Sequence, residues 1–378
     1  MPIQTLGTHL IRHRKDRNLS QEKLAAKAGL SRGAYRNLEQ GRAQPRAETL
    51  KSLASALDVP LRDLLNPAAP LRKVRFRSLK RLKSRGQVLA DVGRWLRDFS
   101  DLERLTGDLS APKLQTLADR IGEDRAPATV AGLARAHFGL TEREPVHDLC
   151  GLLEAQGIKV YSVVVANDAF MGLSVADEEG GPAVIVNTWE RLPVEAWIFS
   201  AAHELGHLLL HLGAYDVDQE QEDETQEREA DQFASHFLMP EELFRREWRE
   251  TAGLALLDRV LKVKRVFRVG WRTVLYRVAQ GLPEDRRRPV WQRINEEYKA
   301  RHKGRPLLKH DEPFGITRDH YRACGEPEGL GQHDFQGDRL YRLVRQAVEA
   351  EIITLSRAAE ILRLPLADMR DLSLSWLA

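Results

Sequence analysis

Trp197-Ile198-Phe199-Ser200-Ala201-Ala202-His203-Glu204-Leu205-Gly206-His207-Leu208-Leu209-Leu210 is the stretch on which the reading of this chain turns. Pro193 opens it, and its apolar residues predict a helix. Residues four apart on an α-helix stand about 40° apart around the axis and one turn along it. His203 and His207 therefore aim their imidazoles at a common point, with Glu204 beside them. Two histidines so spaced can share one ion, and Glu204 can take a proton from water activated by that ion rather than fill a coordination position. Ile198, Phe199, Ala201, Ala202, Leu208, Leu209 and Leu210 make this a buried helix, where a polar trio is costly unless it is paired or binds metal.

A third ligand has to come from a later element, and Glu227-Arg228-Glu229-Ala230-Asp231-Gln232-Phe233-Ala234 supplies one on a second helix. Glu227 and Asp231 share a face. Glu227 is the expected ligand, and Asp231 accepts the remaining ring proton of a ligating histidine. Glu229 points away to solvent, with ligation by Glu229 the alternative. His211 reads as a histidine at the surface or behind a ligand, and His236 as structural. Residues 216–231 hold nine acidic residues and one arginine. They read as a solvated loop entering the second helix, the alternative being a flap that repels DNA or competes for a basic module. Upstream, residues 158–165 and 183–186 are rich in β-branched side chains and predict two strands.

The N-terminal part has a different character. Of the formal +3 charge, residues 1–90 carry +14 and the remainder −11, which points to an anionic partner, nucleic acid foremost. Apolar residues at helical spacing predict five short helices over residues 5–65. Ser20 and Ser31 are placed to cap two of them, Gly29 to form the turn between, and Gly41 with Pro45 to end the second. Ala25 lets the two helices approach, and Tyr35 faces the core. The basic run Arg72-Lys73-Val74-Arg75-Phe76-Arg77 reads equally as added phosphate contacts or as an exposed basic face.

These features resemble the XRE (phage-repressor-like) helix-turn-helix family over about 60 residues. The resemblance implies that Ser31 begins a recognition helix lying in the major groove of double-stranded operator DNA. Arg32 and Arg36 are then candidates for base or phosphate contacts and Gln21 for a phosphate; a helix-turn-helix used only for protein docking is the alternative. Dimerisation is expected, because such modules read two half-sites.

The helix motif, the later Glu-x-Glu-Ala-Asp-x-Phe-Ala and Phe237-Leu238-Met239-Pro240 resemble the ImmA/IrrE metallopeptidase family over residues 140–280, Asn187 included. The chain as a whole resembles fused XRE–ImmA/IrrE regulators. The fold expected is multi-domain and mainly α, with a small α+β zincin-like core. Residues 1–66 form a five-helix DNA-binding domain, 67–140 a basic linker and helical region, 141–285 the peptidase core, and 286–378 a helical region of unassigned role. The resemblance implies a zinc metalloendopeptidase, with Mn²⁺ as the other metal these ligands suit. It also implies cleavage of a cognate helix-turn-helix repressor in a stress, DNA-damage or mobile-element response. In the family, protease and repressor are usually separate. Their union here makes the linker, residues 66–85, a second candidate substrate, and single-stranded DNA is a candidate activator. The alternative is a non-proteolytic regulator, antitoxin-like or using the core as a sensor. Tyr161 and Tyr215 are the tyrosines available to stabilise an oxyanion.

Composition narrows the classes further. No uncharged apolar run nears the roughly 18 residues a spanning helix needs, and the first ten residues lack a secretory pattern. Cys150 and Cys324 cannot build a disulfide framework. A cytoplasmic protein with no membrane partner is expected. Val260–Gln280 reads as a helical addition to the peptidase core, and residues 353–366 as a helix–turn–helix used for packing or interaction, with DNA reading the alternative. His310, His320, Cys324 and His333 match no ligand spacing and receive no metal.

Overall fold

The computed structural model describes residues 3–17, 19–59, 61–65, 71, 73–76, 85–109, 114–122, 125–211, 215, 223–313 and 329–376. The boundary expected at residues 66–70, the acidic residues 216–222, His320 and Cys324 lie outside them. The chain divides into two compact units, Met1–Leu71 with Lys83–Asp98, and Arg72–Leu82 with Phe99–Ala378.

The first unit begins with five helices: α1 (Ile3–Asp16), α2 (Gln21–Lys27), α3 (Arg32–Glu39), α4 (Ala47–Leu57) and α5 (Leu61–Leu65). The Ser20 hydroxyl accepts from the Lys23 amide and that of Ser31 from the Ala34 amide, both at 3.1 Å, so each helix start has one free donor satisfied. Gly29 turns the chain at φ +68°. Leu10, Leu24, Tyr35, Leu53, Leu57 and Leu64 are fully buried and form the core. Gly7 permits the close crossing of α1 and α3, because a Cβ there would stand 2.3 Å from the Glu39 carbonyl oxygen. One carboxylate ties three helices together. Glu39 on α3 accepts from Tyr35 at 2.7 Å, from Arg14 of α1 at 2.6 Å and from Gln21 of α2 at 2.6 Å. α6 (Arg85–Thr106) gives its first part to this unit and, from Phe99, its last part to the second.

The second unit is built around a four-stranded sheet in the order β1-β3-β4-β2, from β1 (Val74–Phe76), β2 (Lys159–Val163), β3 (Gly172–Val175) and β4 (Ala183–Asn187). β2 runs parallel to β4, while β3 is antiparallel to both β4 and β1. The sequence reading anticipated β2 and β4 but neither β1 nor β3. The central strand β4 is buried along its whole length, as a strand covered on both faces must be.

α7 (Leu114–Ile121), α8 (Pro127–His137) and α9 (Leu149–Ala155) precede β2, and α10 (Val194–Leu210) follows β4. α10 packs on β3 and β4 and on α11 (Glu224–Leu238), which in turn packs on α8. Gly206 sets the α10–α11 spacing: a Cβ would stand 3.0 Å from Phe233 and 3.3 Å from the Ala230 backbone. Helices α12 (Glu241–Glu250), α13 (Leu256–Phe267), α14 (Trp271–Gln280) and α15 (Glu284–Arg301) extend the same core. The buried Lys264 pairs with Glu195 at 2.9 Å and Glu312 at 2.6 Å, fastening α13 to the start of α10.

The chain ends with α16 (Arg339–Glu349), α17 (Leu355–Leu362) and α18 (Leu366–Ser375). Glu154 accepts the first amides of this segment, Asp338 at 3.0 Å and Arg339 at 2.9 Å, and the buried Arg339 guanidinium meets Glu103 at 2.7 Å. The C-terminal region is thereby anchored on α9 and α6. Among the described residues no helix is long and apolar enough to cross a membrane.

Candidate functional site

Burial of α10 leaves His203, Glu204 and His207 with 0%, 0% and 1% exposure. Glu227 reaches them from α11. The Nε2 atoms of His203 and His207 stand 2.9 Å apart, and the Glu227 carboxylate is 3.2 Å from each. Ligands on a tetrahedral ion with bonds of about 2.0–2.1 Å lie about 3.3 Å from one another, so the trio is nearly at coordination spacing.

The surrounding hydrogen bonds decide which lone pairs face inward. Asp231 Oδ1 is 2.8 Å from His203 Nδ1. A carboxylate can only accept, so Nδ1 carries the proton and Nε2 a lone pair. Glu229 Oε2, 2.8 Å from His211 Nε2, fixes that proton too, so His211 Nδ1 accepts from His207 Nδ1 at 2.9 Å. His207 Nε2 is then also a lone pair. Burial lowers the His207 pKa to about 3, which keeps the ring neutral. Two imidazole lone pairs and a carboxylate converge, an arrangement that repels unless a cation lies among them. The donor set fits a divalent metal, and two histidines with a glutamate suit Zn²⁺.

Glu204, next to His203 on α10, is held by β3. Ser174 donates to Glu204 Oε2 at 2.8 Å, and Tyr215 donates to Ser174 Oγ at 2.8 Å. Burial raises the Tyr215 pKa, so the relay runs as neutral hydroxyls onto one carboxylate oxygen. Gly172 leaves room beside it, since a Cβ would come within 3.4 Å of Glu204 Oε1. Asn187, fully buried, holds the 165–170 loop through Val165, Asn167 and Phe170. A cavity of about 630 Å³ opens beside Glu227 and Asp231, walled by Met171, Phe199, Ser200 and Thr273.

Some residues occupy places that sequence reasoning did not give them. Arg75, read there as a phosphate contact or a surface charge, is 9% exposed. It lies in β1, with its guanidinium 3.3 Å from Glu227 Oε1 and bonded to Gln226. Glu229, left open between ligand and solvent, stands behind His211, and His211 behind His207. Of the two tyrosines, Tyr215 is committed to Ser174. Tyr161 lies on β2, at the opposite edge of the sheet, with the Arg363 guanidinium 5.2 Å from its ring centre. Ser174 and Arg75 carry no motif; a strand assignment at residues 172–175 would have been the signal for the first.

In the first unit, Arg32 and Arg36 are exposed one turn apart on α3, and Ser31 is engaged in its cap. The Gln21 amide, a phosphate candidate by sequence, is bonded inward to Glu39.

Five helices with a capped helix-turn-helix, followed by a histidine-bearing helix on a small mixed sheet, define a two-module class: a DNA-binding domain joined to a metallopeptidase-like core. Residues 10–64 match the Helix-turn-helix family and residues 153–279 the IrrE N-terminal-like domain family. The chain is 37% identical over 62 residues to an uncharacterised HTH-type transcriptional regulator of Sinorhizobium fredii, a match covering 16% of this chain and 80% of that protein. The chain belongs to the XRE-type helix-turn-helix transcriptional regulators, and over residues 153–279 it is similar to the IrrE N-terminal-like domain family.

Proposed function

We propose that this regulator is a zinc-dependent endopeptidase that cleaves a protein partner to switch transcription in a stress or mobile-element response. The partner is a helix-turn-helix repressor or the chain's own linker. The convergence of the His203, His207 and Glu227 lone pairs, with Glu204 poised alongside, carries this reading. Zn²⁺, when bound, supplies Lewis acidity toward water and a peptide carbonyl. Glu204 accepts the proton of the attacking water and returns it to the departing amine nitrogen. Ser174, backed by Tyr215, holds one Glu204 oxygen and so fixes the orientation of the carboxylate. Asp231 and the His211–Glu229 pair hold both imidazoles in the tautomer that presents Nε2. The exposed Arg32 and Arg36 support operator binding by α3.

The test compares wild type with Glu204→Gln. Both should bind one Zn²⁺ per chain. Only the wild type should cut repressors encoded by neighbouring genes, with or without single-stranded DNA, or release a fragment ending within residues 66–90. General-base catalysis is worth about 10²–10⁴-fold, so residual cleavage by the variant should fall at least a hundredfold. Regulation in cells that survives Glu204→Gln unchanged would instead mark a non-proteolytic sensor.

A further inference from the structure

β3 is the strand that serves the candidate centre, since its Ser174 holds Glu204. One edge of β3 is taken by β4. The other, which an extended peptide would need in order to pair beside Glu204, is taken by β1. The pairing is antiparallel, with Arg75 opposite Ser174. Val74 is 1% exposed, and the Ala176 amide adds a bond to the Lys73 carbonyl at 3.1 Å. The group β1 sends toward the ligand cluster is a side chain. The Arg75 guanidinium contacts Glu227 and Gln226 of α11, and a guanidinium offers no carbonyl for hydrolysis. It is a cation placed on a carboxylate that the metal would also use.

We propose that β1 is an intramolecular stopper: it fills the peptide-pairing edge of β3, while Arg75 competes with the metal for Glu227. This rests on the metallopeptidase reading above and adds its regulation. Like charges repel at short range in a buried site, so metal entry and Arg75 departure favour one another. Leaving with Arg75, β1 would free the edge of β3 for a substrate strand. In chain order β1 is bounded on both sides by segments assigned to the first unit. Withdrawal of the strand and a change in the DNA-binding unit therefore share one covalent path.

The experiment uses full-length wild type, Arg75→Ala and Arg75→Lys, each titrated with Zn²⁺ against a chromogenic chelator after its circular dichroism is matched. Arg75→Ala should bind Zn²⁺ at least tenfold more tightly, while Arg75→Lys, which keeps the charge, stays near wild type. Hydrogen exchange on the wild type alone gives a second readout that depends on no variant folding. Saturating Zn²⁺ should speed exchange at residues 73–76 and at the Ala176 amide. Equal or weaker Zn²⁺ binding by Arg75→Ala would make Arg75 a supporting partner of Glu227, and unchanged exchange would leave β1 in place; either overturns the stopper while the metal centre stands. Failure of every form to bind Zn²⁺ would overturn the metal reading and the stopper with it.

Discussion

Glu154 shows how far one carboxylate can be displaced by its surroundings. Burial pushes its pKa up to about 7, against the pull of the Arg339 and Asp338 amides. The native state therefore holds a proton that the unfolded chain, near the ordinary value of 4.5, has released. Its contribution to stability is complete below the unfolded value and is lost as pH rises through the folded one. Glu154→Gln keeps an acceptor without the charge. Its melting temperature should match wild type near pH 4.5 and exceed it progressively toward pH 7.5; parallel curves would refute the assignment. Arg36 behaves differently because it is exposed on α3. Arg36→Ala should leave the unfolding free energy within about 0.5 kcal/mol of wild type. In operator titrations across salt it should reduce the slope by about one if Arg36 meets a phosphate, or relax preference at one base pair if it meets a base.

At the scale of elements, the α10–α11 contact rests on a missing side chain. Gly206→Leu would drive a branched group into Phe233 and Ala230, already 3.0–3.3 Å from where a Cβ would sit. Overpacking of this kind costs about 1–3 kcal/mol. It should also move Glu227 away from His203 and His207, so Zn²⁺ affinity falls along with thermal stability. A variant that loses stability but keeps its Zn²⁺ affinity would show that ligand spacing is set elsewhere. The helices were legible in the sequence because capping and amphipathic spacing are local. Ser20, Ser31, Gly29 and the His203–His207 pair all act within one or two turns. β1 and β3 were not legible, being three and four residues long, too short for an alternating pattern to emerge. With them went Ser174 and Arg75, whose roles exist only once distant strands are paired. Asp231 could be placed through its spacing from Glu227, while the His211–Glu229 pair needed the actual approach of two helices.

Among the described residues, the N-terminal helices enclose one apolar core and the peptidase-like region another. Ligands that bind only the native state stabilise it by mass action, so removing metal should weaken one unit alone. Calorimetry with and without a chelator should show one transition shifting downward and another, assigned by Leu53→Ala in the helix-turn-helix core, staying fixed. Leu53→Ala itself should cost about 2–5 kcal/mol. A single transition that moves as one would mean the units unfold together.

Glu39 has a consequence for how the operator would be read. By gripping Arg14, Tyr35 and Gln21 at once, it acts as a set-screw on the roll of α3 about its own axis. The angle at which Arg32 and Arg36 would meet an operator is therefore set from inside the protein. Loosening that screw would blur which sequence is chosen before it weakened the grip on DNA.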